Sequence, residues 1–149
     1  MPKELIIVKL DAIGDYIIFR NFIESIKKSE KFRDYDITLV GNVVWKDLAL
    51  KYDAGYVKKF IFFGKEDLKS VDKLIDSHPE LFEKNFDTLI HPTFSRIGYV
   101  DNLVKNINAN EKIGYLSDNS NQNNRQLKVT NAYYTKLIET PKGKLHEIG

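Results

Sequence analysis

Residues 4–26 constrain this chain more than any other stretch. Glu4-Leu-Ile-Ile-Val-Lys-Leu10 is an apolar, β-branched run of strand length, Asp11-Ala-Ile-Gly-Asp15 has the makings of a turn, and Tyr16 to Ile26 carries apolar residues at helical spacing. A strand, a tight glycine turn and a helix in immediate succession predict an open α/β sheet, in which ligands sit beyond the carboxyl ends of the strands. Nucleotide-binding turns place several glycines here and leave the helix start to hold phosphate. This turn has one glycine, Gly14, followed at once by the carboxylate of Asp15. An acid at that point repels a phosphate. It suits a hydroxyl that must lose a proton.

The remaining chain alternates in the same way. A helix is expected over Asp15–Ser29, with Phe19, Phe22, Ile23 and Ile26 on its apolar stripe. Strands are expected at Asp36–Val40, Val57–Phe63, Phe86–Ile90 and Lys112–Leu116. Helices are expected at Val43–Tyr52 with Asn42 as N-cap, from Asp67 with a break or restart at Pro79, and at Tyr99–Ile107. Strands separated by helices imply a parallel sheet with right-handed crossovers. Asp118–Gln126 has no apolar residue and reads as an exposed loop without a role, and Val129–Ile138 reads as an edge strand. A chain of 149 residues with 42% hydrophobic content is one domain's worth of globular sequence, 1–149, with no internal boundary.

Composition removes several classes of function. The net charge of +2 gives no argument for nucleic acid, and the absence of cysteine excludes disulfides and thiolate metal sites. His78, His91 and His146 lack metal-ligand spacing, and neither a P-loop nor a G-x-G-x-x-G fingerprint is present. No metal is therefore expected. The N-terminal apolar run is too short for a signal peptide and no stretch is long enough to span a bilayer, so the chain reads as soluble and cytoplasmic. Lysines at 27, 28, 58, 59, 65, 69 and 73 offer peripheral contact with an anionic membrane, but their interleaved acids also describe an ordinary solvated face.

Candidate site residues all follow expected strands. Asp15 stands at a helix start, where exposed N–H groups and the macrodipole favour an ionised carboxylate. It fits a general base, and it fits a plain helix cap. Gly14 fits a positive φ or close approach of the chain to a ligand. Asn42 and Trp45 follow the second strand; Trp45 is either a sugar platform or core packing. His91-Pro-Thr-Phe-Ser-Arg96 follows the fourth. Its hydroxyls suit a sugar, and the Arg96 guanidinium suits phosphate or carboxylate; alternatively Ser95 caps the next helix. Arg20 could reach an anion or remain a solvated surface group.

Lys9-Leu-Asp-Ala-Ile-Gly-Asp15 followed by an apolar helix resembles the N-terminal motif of glycosyltransferase family 9, the family of the lipopolysaccharide heptosyltransferases. Ile37–Asn42, Trp45–Leu48, Phe86–Pro92 with Ser95-Arg96, and His146-Glu147 fit the family pattern in order. Asp11 stands where the family often has Ser or Thr. The resemblance covers nearly the whole chain but half of a family member. It implies a Rossmann-like parallel sheet flanked by helices, the N-terminal half of a GT-B enzyme, which holds the acceptor. A nucleotide-sugar donor would need a C-terminal domain that these residues do not contain, and no other cofactor is implied. The implied reaction is inverting transfer of a heptose-like sugar to a lipopolysaccharide-type acceptor, with Asp15 as base and Gly14, Asn42, Ser95 and Arg96 at the acceptor. The expected partners are a saccharide or lipid-linked saccharide and the missing domain. Two alternatives stay open: a non-catalytic binding module, and a flavodoxin-like domain for a small anion or a protein partner. Asp15, Asn42 and Arg96 are expected to line one crevice.

Overall fold

The run Glu4–Lys9 forms β1, and it lies inside the sheet. The computed structural model describes residues 3–10, 13–93 and 95–139, and for residues 13–19 the backbone alone. After β1 come α1 (Ile13–Lys28), β2 (Asp36–Asn42), a 3₁₀ turn (Val43–Trp45), α2 (Lys46–Tyr52) and β3 (Lys59–Phe63). A second 3₁₀ turn (Asp67–Lys69), α3 (Val71–Ser77), α4 (Pro79–Glu83), β4 (Asn85–His91), α5 (Gly98–Asn106) and β5 (Asn108–Tyr115) follow. The described chain closes with α6 (Asn124–Thr130), a third 3₁₀ turn (Asn131–Tyr133) and β6 (Lys136–Ile138).

The six strands form one sheet in the order β3-β2-β1-β4-β5-β6, and every pairing is parallel. The expected α/β architecture is therefore observed, with β1 at its centre. Leu5, Ile6, Ile7 and Val8 are fully buried, as a strand covered on both faces requires. Ile6 and Val8 enter one core with Leu74, Leu81, Leu103 and Val104 of α3, α4 and α5. Leu5 and Ile7 enter the other, with Ile23 and Ile26 of α1 and Trp45 and Ala49 beside α2. Gly41 is what admits the indole: a Cβ there would lie 1.9 Å from the Trp45 ring. Trp45 is thus core, packed edge-to-face on Phe62 at 5.7 Å.

Local chemistry sets the element ends. Asn42 caps the first 3₁₀ turn by accepting from Val44 N at 3.0 Å. Pro79 restarts the helix as α4, as its missing N–H favours at a first turn. The C-terminal third departs from expectation. Asp118–Gln126 is tied down: Gln122 is buried, and Asn123 and Gln126 form a reciprocal capping box that starts α6. Because α6 runs to Thr130, the strand expected from Val129 shortens to Lys136–Ile138. Among the described residues no helix is long and apolar enough to cross a membrane.

Candidate functional site

The sheet order reverses between β1 and β4. A crevice outside the carboxyl ends of the strands forms at such a point. Here it has a volume of about 110 Å³ and is walled by Leu10, Asn42, Lys65, Leu68, His91, Thr93, Ile97, Tyr99 and Val100. Its floor is stitched across three strand ends. Lys9 is buried, and its Nζ donates to the Pro92 carbonyl at 3.0 Å, joining β1 to the chain after β4. Asn42 Nδ2 donates to the Leu10 carbonyl at 3.2 Å, joining β2 to the turn after β1. Asn42 therefore lines the crevice with an amide already engaged in holding its shape.

The site expectations meet different fates. The backbone of Gly14 and Asp15 lies in the first turn of α1, which begins at Ile13. Their side-chain surroundings, like Asp11 and His146-Glu147, fall outside the described residues. His91 and Thr93 are walls of the crevice. Ser95 is no helix cap: its hydroxyl donates to Asp118 Oδ2 at 3.0 Å. Burial works to raise the Asp118 pKa, but hydrogen bonds from Ser120 and Ser95 outweigh it and hold the carboxyl low. Arg20 is held in the scaffold, its Nε 3.4 Å from Asp53 and its guanidinium over the Tyr52 ring.

Arg96 requires a correction. It is not among the crevice walls, and its fully buried side chain is taken up by partners of its own. Nη1 donates to Asp101 Oδ2 at 3.0 Å, Nη2 donates to Asn131 Oδ1, and the guanidinium lies 4.9 Å from the Tyr134 ring centre. Asp101, also fully buried, accepts from Gln122 Nε2 at 2.8 Å and from Tyr134 Oη at 2.6 Å. A buried guanidinium is stabilised by such a partner set rather than by an incoming anion. Arg96 and Asp101 thus fasten α5 to α6 and to the segment before β6. Gly114 of β5 makes room for the Tyr134 ring, since a Cβ there would lie 2.6 Å from it.

This network reaches the crevice through His91, whose Nδ1 lies 2.7 Å from Tyr134 Oη. Asp101, paired with a guanidinium, is a pure acceptor, so the Tyr134 proton points to it. The proton of the His91–Tyr134 bond must then sit on His91 Nδ1. Imidazole ¹⁵N shifts are expected to show a protonated Nδ1, and Tyr134→Phe should remove that preference. An Nε2–H tautomer in the unsubstituted protein would contradict the assigned direction. Burial first, and then the Asp101 charge, raise the Tyr134 pKa. The folded form thus keeps a proton that the unfolded chain loses near pH ~10. Stability is full below that pH and falls as pH rises beyond it.

No protein-family model matches the sequence, and no curated protein sequence matches it either. Solved structures do. Escherichia coli heptosyltransferase WaaC, determined with ADP-2-deoxy-2-fluoro heptose, superposes with a TM-score of 0.71 over 97% of this chain, at 12% identity. A family 9 glycosyltransferase from Veillonella parvula gives a TM-score of 0.68 over 95% of it, at 19% identity. The fold is the one these glycosyltransferases contain. At such identities the likeness is one of fold. The chain spans less than half of these matched structures, 45% of WaaC and 37% of the Veillonella protein.

Proposed function

We propose that this chain is the acceptor-binding half of a family-9-like glycosyltransferase that moves a heptose-like sugar from a nucleotide-sugar donor to a lipopolysaccharide-type acceptor. One observation carries the reading. In a fold shared with heptosyltransferases, a crevice opens at the switch point of the sheet, walled by Leu10 after β1, Asn42 at the end of β2 and His91 at the end of β4, and α1 begins three residues after Leu10. Asp15, in the first turn of α1, is the base. The acceptor oxygen attacks the anomeric carbon and its proton passes to the Asp15 carboxylate. The bond from that carbon to the diphosphate breaks, and the nucleoside diphosphate leaves with the electron pair. Gly14 allows the acceptor close approach, Asn42 shapes the floor and Thr93 offers a hydroxyl. Ser95 and Arg96 act through the wall they support.

The donor-binding part lies outside these 149 residues. Adding ADP-heptose and a lipopolysaccharide-core acceptor to the chain alone is expected to give no transfer. Co-expression with a donor-binding half should restore it. Robust transfer by the chain alone would overturn the half-enzyme reading. Core saccharide should also shift the amides of Asn42, His91 and Thr93. Shifts without transfer in the reconstituted pair would leave a binding module, and no shifts would remove the acceptor site.

A further inference from the structure

The helices are shared unequally between the two faces of the sheet. Leu74 of α3, Leu81 of α4 and Leu103 of α5 pack on the face of Ile6 and Val8, and α6 packs against α5. Right-handed crossovers put them there, because each follows a strand whose successor lies further toward β6. The opposite face is covered by α1, the first 3₁₀ turn and α2, all from the chain before β3. Beyond α1, that face of β5 and β6 is a groove of about 470 Å³. Phe22 and Ile26 of α1 and Phe32 after it form one wall; Ile113, Tyr115 and Ile138 form the other. The register sets Tyr115 beside Ile138 and Ile113 beside Lys136, so alternate residues of both strands share this face.

Strands of a parallel sheet are ordinarily covered on both faces. The groove is apolar along its length, and at one end Lys31 is held by Glu111 at 3.6 Å. Its mouth is narrow. Among the described residues, Ile138 at 39% exposure is the one wall that is a strongly exposed large apolar side chain. A stable dimer buries about 800 Å² per partner, so a second copy is disfavoured and a few side chains from one segment fit better. The segment that leaves β6 starts at the groove, since Ile138 is a wall of it. Thr140-Pro-Lys-Gly-Lys-Leu-His-Glu-Ile-Gly149 lies outside the described residues. Its Pro141 and Gly143 suit a reversal of the chain. Leu145 and Ile148 are three apart, the spacing of one helical face. Leu145 is seven residues beyond Ile138, a reach of up to about 23–25 Å, against the ~7 Å that separates Tyr115 from Ile113 along β5.

We infer that residues 140–149 fold back from β6 over this groove and seat Leu145 and Ile148 against Ile113, Tyr115 and Phe22. The chain thereby supplies the cover for the open face of its own sheet edge. The docking stands without the transferase reading.

Nuclear Overhauser spectroscopy on the whole chain, with labelled Leu and Ile methyls, tests it. Cross-peaks are expected from the Leu145 and Ile148 methyls to those of Ile113 and Ile138 and to the Phe22 ring. Leu145→Asp combined with Ile148→Asp should shift the amides of Ile113 and Tyr115 and raise the fluorescence of added anilinonaphthalene sulfonate about threefold or more, with circular dichroism unchanged. Leu116→Asp, at an exposed apolar position outside the groove, should leave the cross-peaks in place. The inference is overturned if the cross-peaks are absent, or if the unsubstituted chain binds the dye as strongly as the double variant. It is also overturned if sedimentation velocity shows a dimer that Ile138→Asp disperses and the double variant does not. None of these readouts involves saccharide binding or transfer, so the docking and the transferase reading can fail separately.

Discussion

Asp101→Ala is expected to lower folding stability by about 3–5 kcal/mol, the usual cost of leaving one member of a buried ion pair without its partner. The Arg96 guanidinium has no exposure, and among the described residues its Nε has no hydrogen-bond partner. Removing the Asp101 carboxylate leaves it Asn131 and a ring face. Tyr134 Oη and Gln122 Nε2 lose an acceptor at the same stroke. Domains of this kind are held by roughly 5–15 kcal/mol in all, so the variant should unfold at a much lower urea concentration. Asp101→Asn keeps oxygen and shape and should lose less. A shift under about 1 kcal/mol in the alanine variant would mean that water solvates the guanidinium there. The network would then be no lock.

The second large effect is catalytic. In the reconstituted enzyme, Asp15→Asn should lower turnover by about 10²–10⁴-fold, the usual contribution of a positioned base. Acceptor affinity should change little, because the amide keeps the size and polarity of the carboxylate. The helix start works on both readings of this residue but predicts different losses. A base loses rate, with kcat falling and KM steady. A residue that only satisfies first-turn N–H groups loses about 1 kcal/mol of stability instead. An unchanged rate with a lowered unfolding midpoint would return Asp15 to a structural role.

Both expectations draw on features of unequal legibility. The sheet was readable because Leu5 to Val8 and Leu89-Ile90 are short, β-branched-rich apolar runs that alternate with helical segments, as strands covered on both faces do. Asn42 was readable as a cap because its partner, Val44, is two residues away. Arg96 was not. Seen from the sequence, a guanidinium after a strand belongs to a ligand, and its actual partners stand 5 and 35 residues further on. The burial of Gln122 has the same origin, since its acceptor Asp101 is 21 residues back. The spacing Asn123-x-x-Gln126 did carry a readable signal for α6, the capping-box pattern. Low apolar content in the preceding segment concealed it.

The position of β1 between β2 and β4 has a consequence for how the chain is made. Pairing with β2 reaches from Glu4 to Asp36, but the other edge of β1 waits for partners such as Thr88 and Ile90. About fifty further residues must emerge before that edge is covered, which at ~5–20 residues per second takes roughly 3–10 s on the ribosome. For that interval a strand whose Leu5–Val8 core ends fully buried presents open N–H and C=O groups to other nascent chains. Slow synthesis or a stall between β2 and β4 should therefore favour intermolecular strand pairing, and a chaperone that binds short apolar segments would find its first target at Leu5–Val8.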